Sequence, residues 1–530
     1  AGSTVVIPRG ADSRVATLRD ETFLLTDRLF VSGDVQAPDD TLHVRARIMQ
    51  VSSQNVQNAQ GAPDSGLYAK TLDLLIDEQA VVTGWLRADD ALELTIPGTI
   101  GDAATSTGDV TWNDQLISVD LTYGPIAGPL SLKIDANAQV EVFGDNASID
   151  ITTEHSVETA GRLQVFGNDA SINVTSGGPL ILVELSRLLA EADDATIKLR
   201  SQDVVAVNVG TETRAGNDYI NEQSVITGLN GTIDIESQGA LFLGGVVAVS
   251  GDLVLSSKAQ IYDNELYGLP TIPNPDPAPN PLPADSDYKA RIPNPDYYPR
   301  YTIFNKTGYF QGIADATPDH YLADHTGGYG LLITGEVTSL GADKSLTLRS
   351  DEDVIVRGNI YATGENANLT LQSDEFLYVE GNVTATAGLN LYGGVDVNGA
   401  EISGAGARSD DRGSSVYVYS TGQYRTTGFE SDINIVGAKD VDLFGIILAG
   451  GEATETGANF AFDANGNGGS DVRVSAGEQI RIESGVLASG DVTINGGTPG
   501  ADDHWDGLSM GEVPVGIDPN LLSVLVNTSG

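Results

Sequence analysis

Two stretches of the chain repeat themselves at one offset. Leu346-Thr-Leu-Arg-Ser-Asp-Glu-Asp-Val-Ile-Val-Arg-Gly-Asn-Ile-Tyr-Ala362 returns 23 residues later as Leu369-Thr-Leu-Gln-Ser-Asp-Glu-Phe-Leu-Tyr-Val-Glu-Gly-Asn-Val-Thr-Ala385. Val142-Phe-Gly-Asp-Asn-Ala-Ser-Ile-Asp-Ile-Thr152 likewise returns, after the same 23 residues, as Val165-Phe-Gly-Asn-Asp-Ala-Ser-Ile-Asn-Val-Thr175. A fixed period of this size is the mark of a solenoid, in which each repeat buries its apolar face only against its neighbours.

Within a repeat, apolar residues alternate (Leu346, Leu348, then Val354, Val356) in short runs rich in Val, Ile, Leu and Thr, separated by Gly, Asn, Asp and Ser. That pattern is strand and turn. Two or three strands in some 20 residues leave no room for a crossover helix, so equivalent strands of successive repeats stack directly. The expected fold is all-β, a parallel β-helix with Val354 over Leu377, Val356 over Val379 and Ile149 over Ile172. About 17 turns at a strand spacing of about 4.8 Å make a rod on the order of 80 Å. Gly358 and Gly381, at one place in successive repeats, suggest a corner with positive φ. Leu180-Ile-Leu-Val-Glu-Leu-Ser-Arg-Leu-Leu-Ala-Glu191, with Leu182, Leu185 and Leu189 at helical spacing, predicts one short inserted helix.

Five regions follow. Residues 1–65 hold short apolar strands in no recognisable register and read as an N-terminal cap. Residues 66–260 and 331–497 carry the strand rhythm. Between them, residues 261–330 form an insertion, and the stretch 262–329 alone holds 11 of the 21 prolines and nine of the 18 tyrosines. Prolines at alternate positions cannot sit in a ladder. Residues 498–530 are an acidic loop and an apolar tail.

The chain carries 74 acidic against 28 basic residues, a net charge of −46. Such a surface repels nucleic acid and anionic lipid, which argues against nucleic-acid partners. The absence of cysteine removes disulfides and thiolate metal sites. No run of about 20 apolar residues spans a membrane.

Little in the sequence carries chemistry. Asp463, Asn465, Asn467 and Asp471 match the opening of a calcium loop, oxygen ligands at alternate positions with glycine for the turn, although Val474 stands where a bidentate Glu is expected. Calcium is accordingly the one cofactor expected. Superposed repeats also bring Asp351 near Asp374 and Glu352 near Glu375, like charges that a cation or solvent would relieve. The five histidines are scattered. Carboxylates are too common, and bases too sparse, to single out a glycan-cleaving site, so no enzyme is expected.

The coils Ile233-Asp-Ile-Glu-Ser-Gln-Gly-Ala-Leu-Phe-Leu243 and Asp471-Val-Arg-Val-Ser-Ala-Gly-Glu-Gln-Ile-Arg-Ile482 resemble those of the filamentous-haemagglutinin-like exoproteins, large secreted bacterial adhesins. The resemblance covers the two periodic stretches and implies a right-handed coil, an extracellular or cell-surface location, and a structural or adhesive role. The expected function is a rod that joins other copies of itself head to tail into a fibre, sheath or matrix. Strand addition would then involve Val5, Val6 and Ile7 near the start and Leu521, Leu522, Val524, Leu525 and Val526 near the finish. The alternative is an adhesin that holds a glycan or protein through the insertion, with Tyr297, Tyr298, Tyr301, Phe304, Tyr309 and Phe310 as contact residues.

Overall fold

The computed structural model describes residues 4–7, 12–14, 21–52, 65–97, 107–112, 115–120, 130–182, 186–190, 192–207, 212–215, 230–258, 271–273, 291–293, 330–402, 414–419, 422–456, 459–464, 469–497 and 524–526. Every regular element among them is a strand, and 41 strands belong to one sheet. One repeat shows the plan. Ser345–Ser350 belongs to a long ladder, Val354–Val356 to a short ladder and Asn359–Ala362 to a third. Each pairs in parallel with its equivalent 23 residues on, so Leu346 meets Leu369, Val354 meets Leu377 and Ile360 meets Val383. The chain is a parallel β-solenoid. The register read from the repeats holds, with Val356 on Val379 and Ile149 on Ile172.

Alternate residues of all three ladders point inward and merge into one apolar core that extends from Leu29 to Ile482. The insertion does not break it. Leu241 pairs with Leu331, Val247 with Val337 and Leu253 with Leu346, so the coils before and after residues 259–329 stack as direct neighbours. Buried serines end the long strands and also stack in register, Ser176 on Ser201, then Ser237, Ser257, Ser350 and Ser373. Their hydroxyls satisfy corner carbonyls, as where Ser201 Oγ donates to the Gly178 oxygen (2.8 Å) and Ser373 Oγ to that of Glu352 (2.6 Å). A buried hydroxyl kept this way costs the fold little.

Three expectations need correction. The segment 180–191 is not a helix: Leu180–Leu182 and Arg187–Ala190 are strands of the short and third ladders, paired with Val157–Thr159 and Arg162–Val165. Leu182, Leu188 and Ala190 fill the core, so tertiary pairing overrides the helix formers. The coil also begins earlier than expected. Thr4–Ile7 pairs with Arg28–Val31, and that strand with Ile48 to Val51 inside Asp34–Val51. The period is hidden there because strands of 18 and 17 residues, Asp34–Val51 and Gly66–Val82, turn the corners through bulges instead of glycine turns.

The glycine corners have a different cause from the expected one. Neither Gly358 nor Gly381 has a left-handed φ. A Cβ on Gly358 would instead stand 1.8 Å from the carbonyl oxygen of Gly335, and one on Gly381 1.7 Å from that of Gly358. Of the seven described non-glycine residues with a left-handed φ, six, Asn146, Asp169, Asp194, Asn230, Asp343 and Asn366, stand two positions before a long strand, and the seventh, Glu430, stands three before Ile433–Gly437. Asn and Asp tolerate that conformation best among residues with a side chain. Gly358→Ala is therefore expected to lower stability by about 2 kcal/mol or more, while Asn366→Gly changes it by less than about 1 kcal/mol. Urea unfolding followed by circular dichroism checks the contrast, which two equal effects would contradict.

Candidate functional site

In three-residue strands of the short ladder such as Leu180–Leu182 and Val354–Val356, the first and third residues face the core and the second faces outward. The outward positions form one column along the rod. Register links Lys133 to Glu158, Glu158 to Ile181, then Ala206, Phe242 and Leu332. The column goes on through Ile355, Tyr378 and Tyr417 to Asp442 and Arg481. From Ile181 to Tyr417 it is wholly apolar or aromatic, a run of about 30 Å at the rung spacing. Charged residues bound it at both ends.

These side chains form a second apolar cluster, separate from the core. Tyr378 and Tyr417 stack with centroids 5.4 Å apart, Phe444 lies 5.2 Å from Tyr417, and the Arg481 guanidinium sits 4.9 Å over the Phe444 ring. Although they face away from the core they are buried, Ile355 at 0% and Tyr378 at 2% exposure. This wall is a second apolar layer outside the core, and sequence reading missed it. The signal was present in triplets apolar at all three positions, Leu241-Phe-Leu, Leu331-Leu-Ile, Val354-Ile-Val and Leu377-Tyr-Val, where a strand with one wet face would alternate.

The expected interface residues fall on the first and last strands of this same ladder. Thr4–Ile7 pairs with Arg28–Val31, and Val5 and Ile7 pack against the core. Val524, Leu525 and Val526 pair in parallel with Ile480, Arg481 and Ile482. Leu521 and Leu522 lie outside the described residues. In the long ladder, the outermost described strands are Glu21–Leu25 and Val492–Asn495, each paired with one other strand. Phe23 (58% exposed), Leu25 (64%) and Val492 (44%) stand out on them.

The expected calcium ligands are not seen together. Asp463 lies in an antiparallel hairpin opposite Glu452, and Asn465 and Asn467 lie outside the described residues. Asp471 has other partners: its Oδ1 accepts the Asp491 N–H (2.9 Å) and its Oδ2 the Arg473 guanidinium (2.6 Å). Arg473 also reaches Asp432 Oδ2 (2.7 Å), so a cation of the chain itself bridges two stacked carboxylates. Arg349 does the same between Asp351 (3.3 Å) and Asp374 (3.6 Å). Among the described residues no three histidine, aspartate or glutamate side chains converge on a point that could hold a metal ion. Tyr297, Tyr298, Tyr301, Phe304, Tyr309 and Phe310 lie outside the described residues.

Among the described residues six carboxyls depart clearly from ordinary behaviour, Asp27, Asp73, Glu236 and Asp396 downward and Asp203 and Asp374 upward, and two of them show the opposing causes. The Arg45 guanidinium, bonded to both oxygens of Asp73, holds its carboxyl below the usual range against the effect of burial, with His43 Nδ1 (2.6 Å) adding to it. Asp203, at the corner that leads into the short ladder, has its carboxyl pushed up to about 7 by burial. No protein-family model matches the chain, and no curated protein or solved structure is detectably similar to it. No helix among the described residues is long and apolar enough to cross a membrane.

Because the folded pKa of Asp203 lies above its unfolded value near 4, its contribution to stability is complete below about pH 4 and is lost as pH rises through about 7. Asp203→Asn is expected to gain in thermal stability over the parent as pH goes from 5 to 8, by about 1–2 kcal/mol. A difference between the two melting temperatures that stays constant with pH would contradict this.

Proposed function

We propose that the chain is a secreted structural protein, a rigid rod of the cell surface that joins other copies of itself end to end into a fibre or matrix. The observation that supports this best is the single core, kept in register across a long insertion, because a solenoid whose ladders never break transmits length and stiffness and little else. The outermost described strands of the long and short ladders each pair with a single described strand, which supports strand addition as the mode of joining. A contact between opposite ends is heterologous and does not close on itself, so it propagates as a filament.

Net charge opposes this association. At −46 the copies repel one another, and the repulsion extends about 10 Å at 0.1 M salt and about 3 Å at 1 M. Filaments are expected in negative-stain electron microscopy at high protein concentration, longer at 1 M than at 0.05 M sodium chloride. Separate rods of about 80 Å under every condition, with a monomer mass by light scattering, would sink the proposal.

A further inference from the structure

In an Asn-Gly pair the glycine has no Cβ to keep its backbone nitrogen away from the preceding side-chain amide, so a free Asn-Gly is prone to lose that amide as ammonia. The sequence holds five such pairs, and the structure describes three, Asn230-Gly231, Asn398-Gly399 and Asn495-Gly496. Asn465-Gly466 and Asn467-Gly468 lie outside the described residues. Two of the three are held. The Gly231 N–H donates to Ser250 Oγ (2.9 Å) at a buried corner. The Gly399 N–H donates to the Asp396 carbonyl (2.9 Å), and Asn398 donates to the Asp396 carboxylate through its backbone N–H (2.9 Å) and its Nδ2 (3.4 Å). A nitrogen fixed in this way must break its hydrogen bond before it can attack.

The third pair is different, and the direction of the ladder is the reason. In the long ladder the N–H groups of inward residues reach forward to the next coil, Leu389 to the Asp432 carbonyl (3.0 Å), Ile433 to that of Asp471 (2.9 Å) and Val472 to that of Asp491 (2.9 Å). Val492–Asn495 is the outermost described strand, and it pairs only backward, Ser475 with Asn495. Gly496 stands two past the inward Ile494, so its N–H takes the same forward direction. It has no partner among the described residues. Asn495 beside it is exposed.

We propose that Asn495-Gly496 is a modification site, at which the rod end deamidates without an enzyme. The Gly496 nitrogen bonds to Asn495 Cγ, the bond from Cγ to Nδ2 breaks, and ammonia leaves to give a cyclic imide. Water then opens the ring at either carbonyl, which leaves aspartate or, with one extra methylene in the backbone, isoaspartate. Either product puts a new carboxylate on an edge strand, and isoaspartate also spoils the spacing that a ladder needs. If copies join end to end as proposed above, the long-ladder register continued by one coil sets Asn495 against Leu25 of the next copy, an apolar neighbour that disfavours a carboxylate. Unjoined ends would therefore age into ends that cannot join. This consequence rests on that proposed function, whereas the modification itself does not.

The test incubates the full chain at mildly alkaline pH and low protein concentration, and follows each Asn-Gly pair by peptide mass spectrometry, with the chain unfolded in urea as reference. In the folded chain Asn495 is expected to convert about tenfold or more faster than Asn230 and Asn398, and in urea the three rates converge. Gly496→Ala is expected to slow conversion at Asn495 about tenfold, because a Cβ hinders ring closure, with strand content by circular dichroism unchanged. Equal rates at the three sites in the folded chain, or a rate at 495 indifferent to Gly496→Ala, would overturn the proposal. The consequence for joining is read separately by electron microscopy, where Asn495→Asp is expected to give shorter filaments than Asn495→Gln. Filaments of equal length from both would overturn that consequence alone, and filaments from neither variant nor the parent would overturn the proposed function and leave the modification standing on its rates.

Discussion

Everything in this molecule depends on one contact, the in-register parallel pairing of each coil with the coil before it. The pairing satisfies the backbone, stacks like side chains in a single core, and brings corner backbones so close that a Cβ on Gly358 would overlap the Gly335 carbonyl. Repetition follows from that constraint. A residue that suits one corner suits the same corner of the next coil, which is why Gly335, Gly358 and Gly381 recur, and why Asn and Asp recur at the left-handed position.

Stacking identical positions also stacks identical charges, and the fold answers this locally. Arg473 lies between Asp432 and Asp471, and Arg349 between Asp351 and Asp374. These are partly exposed pairs, so their value lies less in net stability than in removing like-charge repulsion along a column. Burial still pushes the Asp374 carboxyl up, with Asp351 adding to the effect and Arg349 opposing it. Hence an acidic rod tolerates its columns through its few basic residues.

The three walls differ in what they can do. The long ladder turns a polar face outward, with amide ladders such as Asn434 Nδ2 to Asn390 Oδ1 (2.9 Å). The short ladder turns an aromatic one. A strand apolar on both faces is unusual in a single-layered coil and normal where a second layer covers it. The corner between these two walls is also where the chain leaves the coil after Lys258 and rejoins it at Gly330.

Much of the fold could be read in the sequence, because a solenoid writes its contacts at a constant offset. The 23-residue repeats gave the partners of Leu346, Val354 and Ile149 correctly. The reading failed where local pattern and tertiary context diverge: at 180–191, whose leucines suit a helix in isolation, and before residue 66, where bulged strands replace glycine turns. The aromatic wall was legible only in hindsight, since an apolar triplet looks the same in a core strand and in a strand with two dry faces. The sequence by itself determined the period, the parallel register and the inward residues, because these depend on contacts between equivalent positions. Only the tertiary structure decided which outward residues form a column and where they lie relative to the insertion, because those depend on how three ladders close around one core.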